Sequence, residues 1–362
     1  MKLFTCKNCR NTVYFENHTC LRCSAPLGFD PQSLSLVTLS PSQVQNEYTD
    51  TKDKNKQYKY CLNLQQGGCN WLLPVGEDKV YCMACELNNT IPALYIPENL
   101  RSWQKIEVAK HRLVYSLLRL KLPLKSKAED MQEGLTFEFL ANINANEMIM
   151  TGHENGVITL NISEADEVEL VRHKHDLGEN YRTLLGHLRH EIGHYYWDRL
   201  IANGPYLNEF RAVFGDEQQD YAKALEAYYA GTPPVDWMNR YISMYATSHP
   251  WEDWAETFAH YLHMMDTMET AYSFGISIDP EEVRDATMEA DIHKNPYEVE
   301  KFEKILKMWL PLTFAVNSLN RSMGYADFYP FVISKEVEKK LAFIHDVCRK
   351  AIKKPSLMSF AS

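Results

Sequence analysis

His190-Glu191-Ile192-Gly193-His194 is the stretch whose residue types and spacing could do chemistry. On a helix, side chains four apart share a face, so both imidazoles can reach one cation while Glu191 stands beside it as a base. The chemistry implied is hydrolysis. A zinc ion held there would lower the pKa of a water towards about 7 and polarise a carbonyl, and Glu191 would take the water's proton and pass it to the departing amine. Catalytic zinc takes three protein ligands and keeps one position for water, so a third ligand is needed. A third histidine of the H-E-x-x-H-x-x-G-x-x-H type is absent, since Tyr196 is followed by Trp197. A glutamate from a later helix is the other solution.

The carboxylates best placed for it are Glu252 and Glu256, within Ser248-His-Pro-Trp-Glu-Asp-Trp-Ala-Glu-Thr-Phe-Ala-His-Tyr-Leu-His263. Pro250 suits a first helical turn, with Ser248 or His249 as cap. Trp251, Trp254, Ala255, Phe258, Tyr261, Leu262 and Met265 form an apolar stripe, and the two glutamates lie one turn apart beside it. We assign Glu252 as the ligand and Glu256 as the acceptor for the second N–H of a ligating histidine; the reverse assignment stays open. Asp253 points elsewhere on this helix and reads as solvated.

These motifs resemble the gluzincins, the thermolysin and neprilysin group, in which a Glu-x-x-x-Asp/Glu helix follows the H-E-x-x-H helix. More narrowly, Leu185-Gly-His-Leu-Arg-His-Glu-Ile-Gly-His-Tyr-Tyr-Trp-Asp198, the helix around Glu252 and Asp327-Phe-Tyr-Pro-Phe-Val332 resemble bacterial zinc-binding metallopeptidases with an N-terminal zinc ribbon. The resemblance covers nearly the whole chain and implies a zinc metallopeptidase acting on peptides or proteins. It also implies a donor for the oxyanion. Tyr245, seven residues before Glu252, matches a tyrosine of some gluzincin toxins, with Tyr241, His249 and His260 as alternatives.

Eight of the nine cysteines fall in the first 85 residues. Cys6-x2-Cys9 with Cys20-x2-Cys23 has the spacing of a structural zinc site, and Cys61-x7-Cys69 with Cys82-x2-Cys85 is a looser second set. Two structural zinc sites are expected besides the catalytic one, with sequential pairing favoured over cross-bracing. The segment Met1 to Cys6 has no apolar core of a secretory signal, so metal-held thiolates in a reducing cytoplasm are the consistent reading. Cys348 reads as a small core residue.

Zinc ribbons often bind nucleic acid, but residues 1–90 carry nine Lys and Arg against eight Asp and Glu, and the whole chain stands at −10. Phosphate binding needs a basic face that this composition does not supply, so the ribbons read as a packing or partner-docking module. A zincin scaffold that binds a protein partner without cleaving it is the alternative function, disfavoured by the intact base Glu191. No apolar run reaches the 18 residues of a membrane span.

The elements that must position these groups are legible in outline. Tyr181 to Ile201 lacks proline and sets Leu184, Leu185, Leu188, Ile192, Tyr195 and Tyr196 at helical spacing, predicting a helix of about 20 residues through the motif. Strands are expected at Leu135–Leu140 and Gly156–Ile162, the latter after the turn signal His153-Glu-Asn-Gly156, forming a small sheet near that helix. One of them would be an edge strand for an extended substrate, or simply part of a hairpin. Helices are expected at Leu100–Leu120 (with Trp103, Ile106, Leu113 and Leu117 inward and His111 structural), Asp220–Tyr229, Tyr297–Leu312 and Ser334–Lys353. Breakers stand at Gly231–Pro234, and Gly324–Pro330 is an aromatic loop. Residues 31–58, rich in Ser, Gln, Asn and Lys, read as a linker. The expected fold is α+β: a zinc-ribbon region over residues 1–92 with short strands, then a mainly helical zincin-like domain over residues 93–362.

Overall fold

A computed structural model describes residues 2–142, 149–166, 183–231, 234–282 and 285–351. Among these described residues helix accounts for 44% and strand for 15%, in separate segments, which makes the fold α+β. The chain forms two compact units, residues 2–191 and 192–362. Residue 92, the expected end of the zinc-ribbon region, falls inside the first.

In the first unit, β1 (Phe4–Thr5) and β2 (Thr12–Val13) form an antiparallel pair. They are followed by β3 (Leu27–Asp30), β4 (Ser35–Pro41), β5 (Tyr48–Asp50), β6 (Gln57–Tyr60) and β7 (Leu72–Pro74), a five-stranded antiparallel meander in chain order. Residues 31–58 are therefore not a linker: they supply β4, β5 and the start of β6. Their polar residues lie mostly in tight turns, where Ser42 and Glu47 and then Asp53 and Lys56 close by backbone hydrogen bonds. The strand before them, β4, buries Leu36, Val37, Thr38 and Leu39. A composition average over the segment hides this alternation of turn and strand.

The same unit then forms β8 (Asn88–Thr90), α1 (Pro97–Arg119), β9 (Thr136–Leu140), β10 (Gly152–Glu154) and β11 (Val157–Asn161), a sheet ordered β10-β11-β9-β8. β8 and β9 are parallel because α1 crosses between them, and β11 lies parallel to β9. Both expected strands are present within a residue, while His153 and Glu154 of the turn signal belong to β10 itself. Only Asn155 (φ 50°) and Gly156 (φ 79°) turn, both left-handed as a type I′ hairpin requires. On α1, Trp103, Ile106, Leu113 and Leu117 are fully buried.

α2 (Leu184–Trp197) carries the H-E-x-x-H motif and continues through a π-helical turn at Asp198–Ala202; Tyr181 and Arg182 of the expected helix lie outside the described residues. The second unit adds α3 (Leu207–Phe214), α4 (Tyr221–Ala230), α5 (Pro250–Phe274), α6 (Phe302–Ser322) and α7 (Lys335–Ala351). α5 packs against α3 and α7: Trp254, Phe258, Tyr261 and Leu262 are buried, the Trp254 ring meeting Phe343 and the Tyr261 ring His345. It stops at Gly275, whose φ of 64° closes the last turn. The helix expected over Tyr297–Leu312 instead starts at Phe302, after a short turn at Pro296–Glu298, and runs to Ser322 with Pro311 inside it. Proline does not end it because Ile305, Leu306, Trp309 and Leu312 anchor both sides in the core. The final helix is described as far as Ala351; Ile352 and Lys353 lie outside the described residues, as do Thr232 and Pro233 of the Gly231–Pro234 breaker. In the aromatic loop, Tyr329 is core: Asn317 clamps its backbone N–H and carbonyl, each at 2.9 Å.

Candidate metal centre

His190 and His194 lie one turn apart on α2, and Glu252 sits in the first turn of α5. Their ligand atoms all fall within 4.8 Å of one another, and all three side chains are buried. His194 Nε2 and Glu252 Oε2 stand 3.4 Å apart. A tetrahedral zinc with bonds of about 2.1 Å separates its ligand atoms by about 3.4 Å, so the donor set fits the ion both chemically and in spacing.

Two contacts bring α5 against the motif. Trp254 Nε1 donates to the Gly193 carbonyl at 2.8 Å, and a Cβ on Gly193 would stand 2.9 Å from Ala255 Cα. Glycine at this position of the motif is thus a packing requirement. The Trp251 ring lies on His194, their centroids 3.9 Å apart. His249 caps α5: its Nδ1 accepts from Trp251 N, so its Nε2–H donates to the Gln219 carbonyl.

Glu252 is also held by a residue that sequence reasoning missed. Tyr221, the first residue of α4, donates to Glu252 Oε1 at 2.5 Å, with Oε2 on the His194 side. Thirty-one positions separate the pair, and nothing local marks one tyrosine among 21. Glu256, half-buried, accepts from Ser243 Oγ at 2.6 Å. Tyr245 stands in the helical turn Tyr245–Thr247 with its ring against Tyr228. Burial, with the nearby Glu252 carboxylate, pushes its phenol pKa well up, so it keeps its proton. Of the alternatives, His260 is engaged by the Tyr329 hydroxyl and Tyr241 lies beneath Lys340 Nζ at 4.3 Å.

Asp253 is not solvated. It is fully buried and paired with Lys340 Nζ of α7 at 2.6 Å, while Lys340 also donates to the Arg240 carbonyl. Burial outweighs the lysine and pushes the Asp253 pKa up to about 7. The helix face assigned to solvent is covered by α7, an element distant in sequence.

Within the first unit, a second polar row approaches the motif. His187, one turn before Glu191, places Nε2 3.1 Å from Glu191 Oε1 and Nδ1 2.5 Å from Glu164 Oε2. Burial opposes the imidazolium, but the Glu164 and Glu191 carboxylates prevail and push its pKa up to about 9.

The eight N-terminal cysteines form two groups of four, each with its sulfurs within 4.8 Å: Cys6, Cys9, Cys20 and Cys23, then Cys61, Cys69, Cys82 and Cys85. Sγ–Sγ distances of 3.6–3.7 Å (Cys9–Cys20, Cys6–Cys23, Cys69–Cys82) match the edge of about 3.8 Å expected for tetrahedral zinc with Zn–S bonds of about 2.3 Å. In the first group two equivalent turns present the thiols. Arg10 N bonds to the Cys6 carbonyl and Ser24 N to that of Cys20, with Arg10 (φ 62°) and Ser24 (φ 58°) both left-handed. The second group is wholly buried and has a neighbour not anticipated as part of it: His111 Nε2 lies 3.2 Å from Cys69 Sγ, while its Nδ1–H donates to the Glu107 carbonyl. Cys348 is a buried thiol of α7 whose pKa burial raises.

Helices bearing a His/His/Glu cluster, later in the chain than two four-cysteine groups, define a zinc-binding protein of metallopeptidase type. The chain matches the family described as "Putative zinc-binding metallo-peptidase" over residues 99–347 and a zinc-ribbon domain family over residues 3–96. It belongs to that zinc-binding metallopeptidase family. Relatives in Mycobacterium bovis and Mycobacterium tuberculosis, described as uncharacterized proteins, are 40% identical over 348 residues, 96% of this chain and 95% of theirs. No solved structure matches the chain.

Proposed function

We propose that the protein is a zinc-dependent peptidase whose catalytic ion is held by His190, His194 and Glu252, with Glu191 as general base. The observation that carries this reading is the convergence of those three ligands, 4.8 Å or less apart, beside a glutamate on the same helix turn. When bound, the ion supplies Lewis-acid polarisation of the scissile carbonyl and of the attacking water. Glu191 removes the proton of that water as the new C–O bond forms and returns it to the amine nitrogen as the C–N bond breaks. Tyr245, kept protonated by burial and by Glu252, donates a hydrogen bond to the carbonyl oxygen as negative charge develops there. Tyr221 holds Glu252, and Ser243 holds Glu256 behind it.

The two cysteine groups take one structural zinc each, giving three ions per chain, and their free thiols suit a reducing compartment such as the cytoplasm. We assign residues 1–92 to this ribbon region, which packs or docks a protein partner, and residues 93–362 to the peptidase domain. Among the described residues no helix is long and apolar enough to cross a membrane.

The test is metal content together with cleavage of a peptide library. Glu191→Gln is expected to keep about three zinc per chain and to lose at least about 100-fold in rate. A His190→Ala variant that loses no zinc would refute the centre, and wild-type cleavage by Glu191→Gln would refute the base.

A further inference from the structure

The row Glu164–His187–Glu191 lies outside the ligand set and suggests how the base is aimed. Glu164 sits in the turn Ile162–Ala165 directly after β11, which Asn161 caps by accepting from Ser163 N at 3.0 Å. Thr151 Oγ1 donates to the Glu164 carboxylate and accepts from Asn161 N, tying Glu164 to the β10–β11 hairpin. The three side chains of the row are largely buried, between 6% and 13% exposed. Carboxylates only accept hydrogen bonds, so a ring with a carboxylate oxygen at each nitrogen presents an N–H to both. Charge-assisted bonds of this kind are short and directional.

We propose that His187 is a positioning residue for the base: clamped by Glu164 on the sheet side, it fixes the plane of the Glu191 carboxylate through Oε1. A glutamate on a helix otherwise samples several rotamers, and a free base must be oriented anew in every turnover. The bridge removes that freedom by linking the base to the sheet through one ring. The inference rests on Glu191 being the base, so its test must fail separately from that reading.

The zinc-loaded full chain is compared with Glu191→Gln, His187→Gln, Glu164→Gln and the double variant His187→Gln/Glu164→Gln. In the peptide-library assay His187→Gln is expected to lower kcat by about 10- to 100-fold with KM within about twofold and zinc content unchanged. Glu164→Gln should act in the same direction but more weakly, and the double variant should be no worse than His187→Gln alone, because both act through one bridge. In ¹⁵N-histidine spectra, Glu191→Gln should move the His187 Nε2 signal and Glu164→Gln the Nδ1 signal. Wild-type kcat in His187→Gln beside an inactive Glu191→Gln overturns the positioning role alone. So does a His187 Nε2 signal that Glu191→Gln leaves unmoved. Full activity in Glu191→Gln overturns the base and the inference with it.

Discussion

The four-cysteine groups and the His/His/Glu group solve the same problem, gathering metal-ligating side chains, with different scaffolds. The first cysteine group is built from tight turns closed by a few backbone bonds, and its ligands are three positions apart in pairs. The His/His/Glu group is built on two long helices and draws support from Tyr221 and Trp254. Four thiolates fill a tetrahedron and leave no position for water, whereas two imidazoles and one carboxylate leave one. The difference teaches that a closed site can be local, because four ligands from two short turns complete it. An open one must be braced from outside, because its ligands cannot rely on a fourth partner to fix them.

The largest expected contrast separates the two by stability. Cys82→Ser should lose one zinc and lower the melting temperature by about 10 °C or more, since structural zinc supplies folding energy directly. His194→Ala should also lose one zinc, abolish cleavage and shift melting by about 5 °C or less, read by calorimetry and metal analysis on the same samples. Equal melting shifts would break the comparison.

Next in size is the brace behind Glu252. Lys340→Met leaves the buried Asp253 carboxylate without its cation and is expected to cost about 3–5 kcal/mol in denaturant unfolding, while both cysteine groups keep their zinc. A cost below about 1 kcal/mol would mean that α7 does not brace α5 through this pair.

Smaller again, Tyr221→Phe removes one hydrogen bond from Glu252 and should weaken zinc binding about tenfold in a competition titration, with the cysteine groups unaffected. Unchanged affinity would show that the open site needs no bracing at this oxygen.

The smallest effect concerns pH. His345 of α7 donates Nε2–H to the Val299 and Glu300 carbonyls and accepts from the Tyr261 hydroxyl, and burial lowers its pKa. The unfolded chain therefore binds the proton more readily than the folded one. Stability from this group is full above the ordinary histidine pKa of about 6.5 and declines as pH falls below it. His345→Gln should flatten that part of the stability–pH curve; an unchanged slope would assign the dependence elsewhere.

What could be read from sequence follows the same division. The cysteine pairs, the motif helix and the stripes of α1, α5 and α7 are local patterns, and each appears within a few residues of its expected place. The supports were illegible because they join positions far apart: Glu164 to His187 across 23 residues, Tyr221 to Glu252 across 31, Asp253 to Lys340 across 87. Asp253 misled for this reason, since helical periodicity shows which face leaves the stripe and not which later helix will cover it. Residues 31–58 misled in the opposite way. Their strands are short enough that turn residues dominate the composition.

The Asp253–Lys340 pair also sets an order of events during synthesis. Lys340 leaves the ribosome 87 residues after Asp253, so the helix bearing Glu252 exists for that interval with a charge it cannot bury. The cysteine groups, complete by Cys85, can take their metal long before. A nascent chain thus carries two complete four-cysteine groups while the helix bearing Glu252 still awaits the charge partner that the last helix brings.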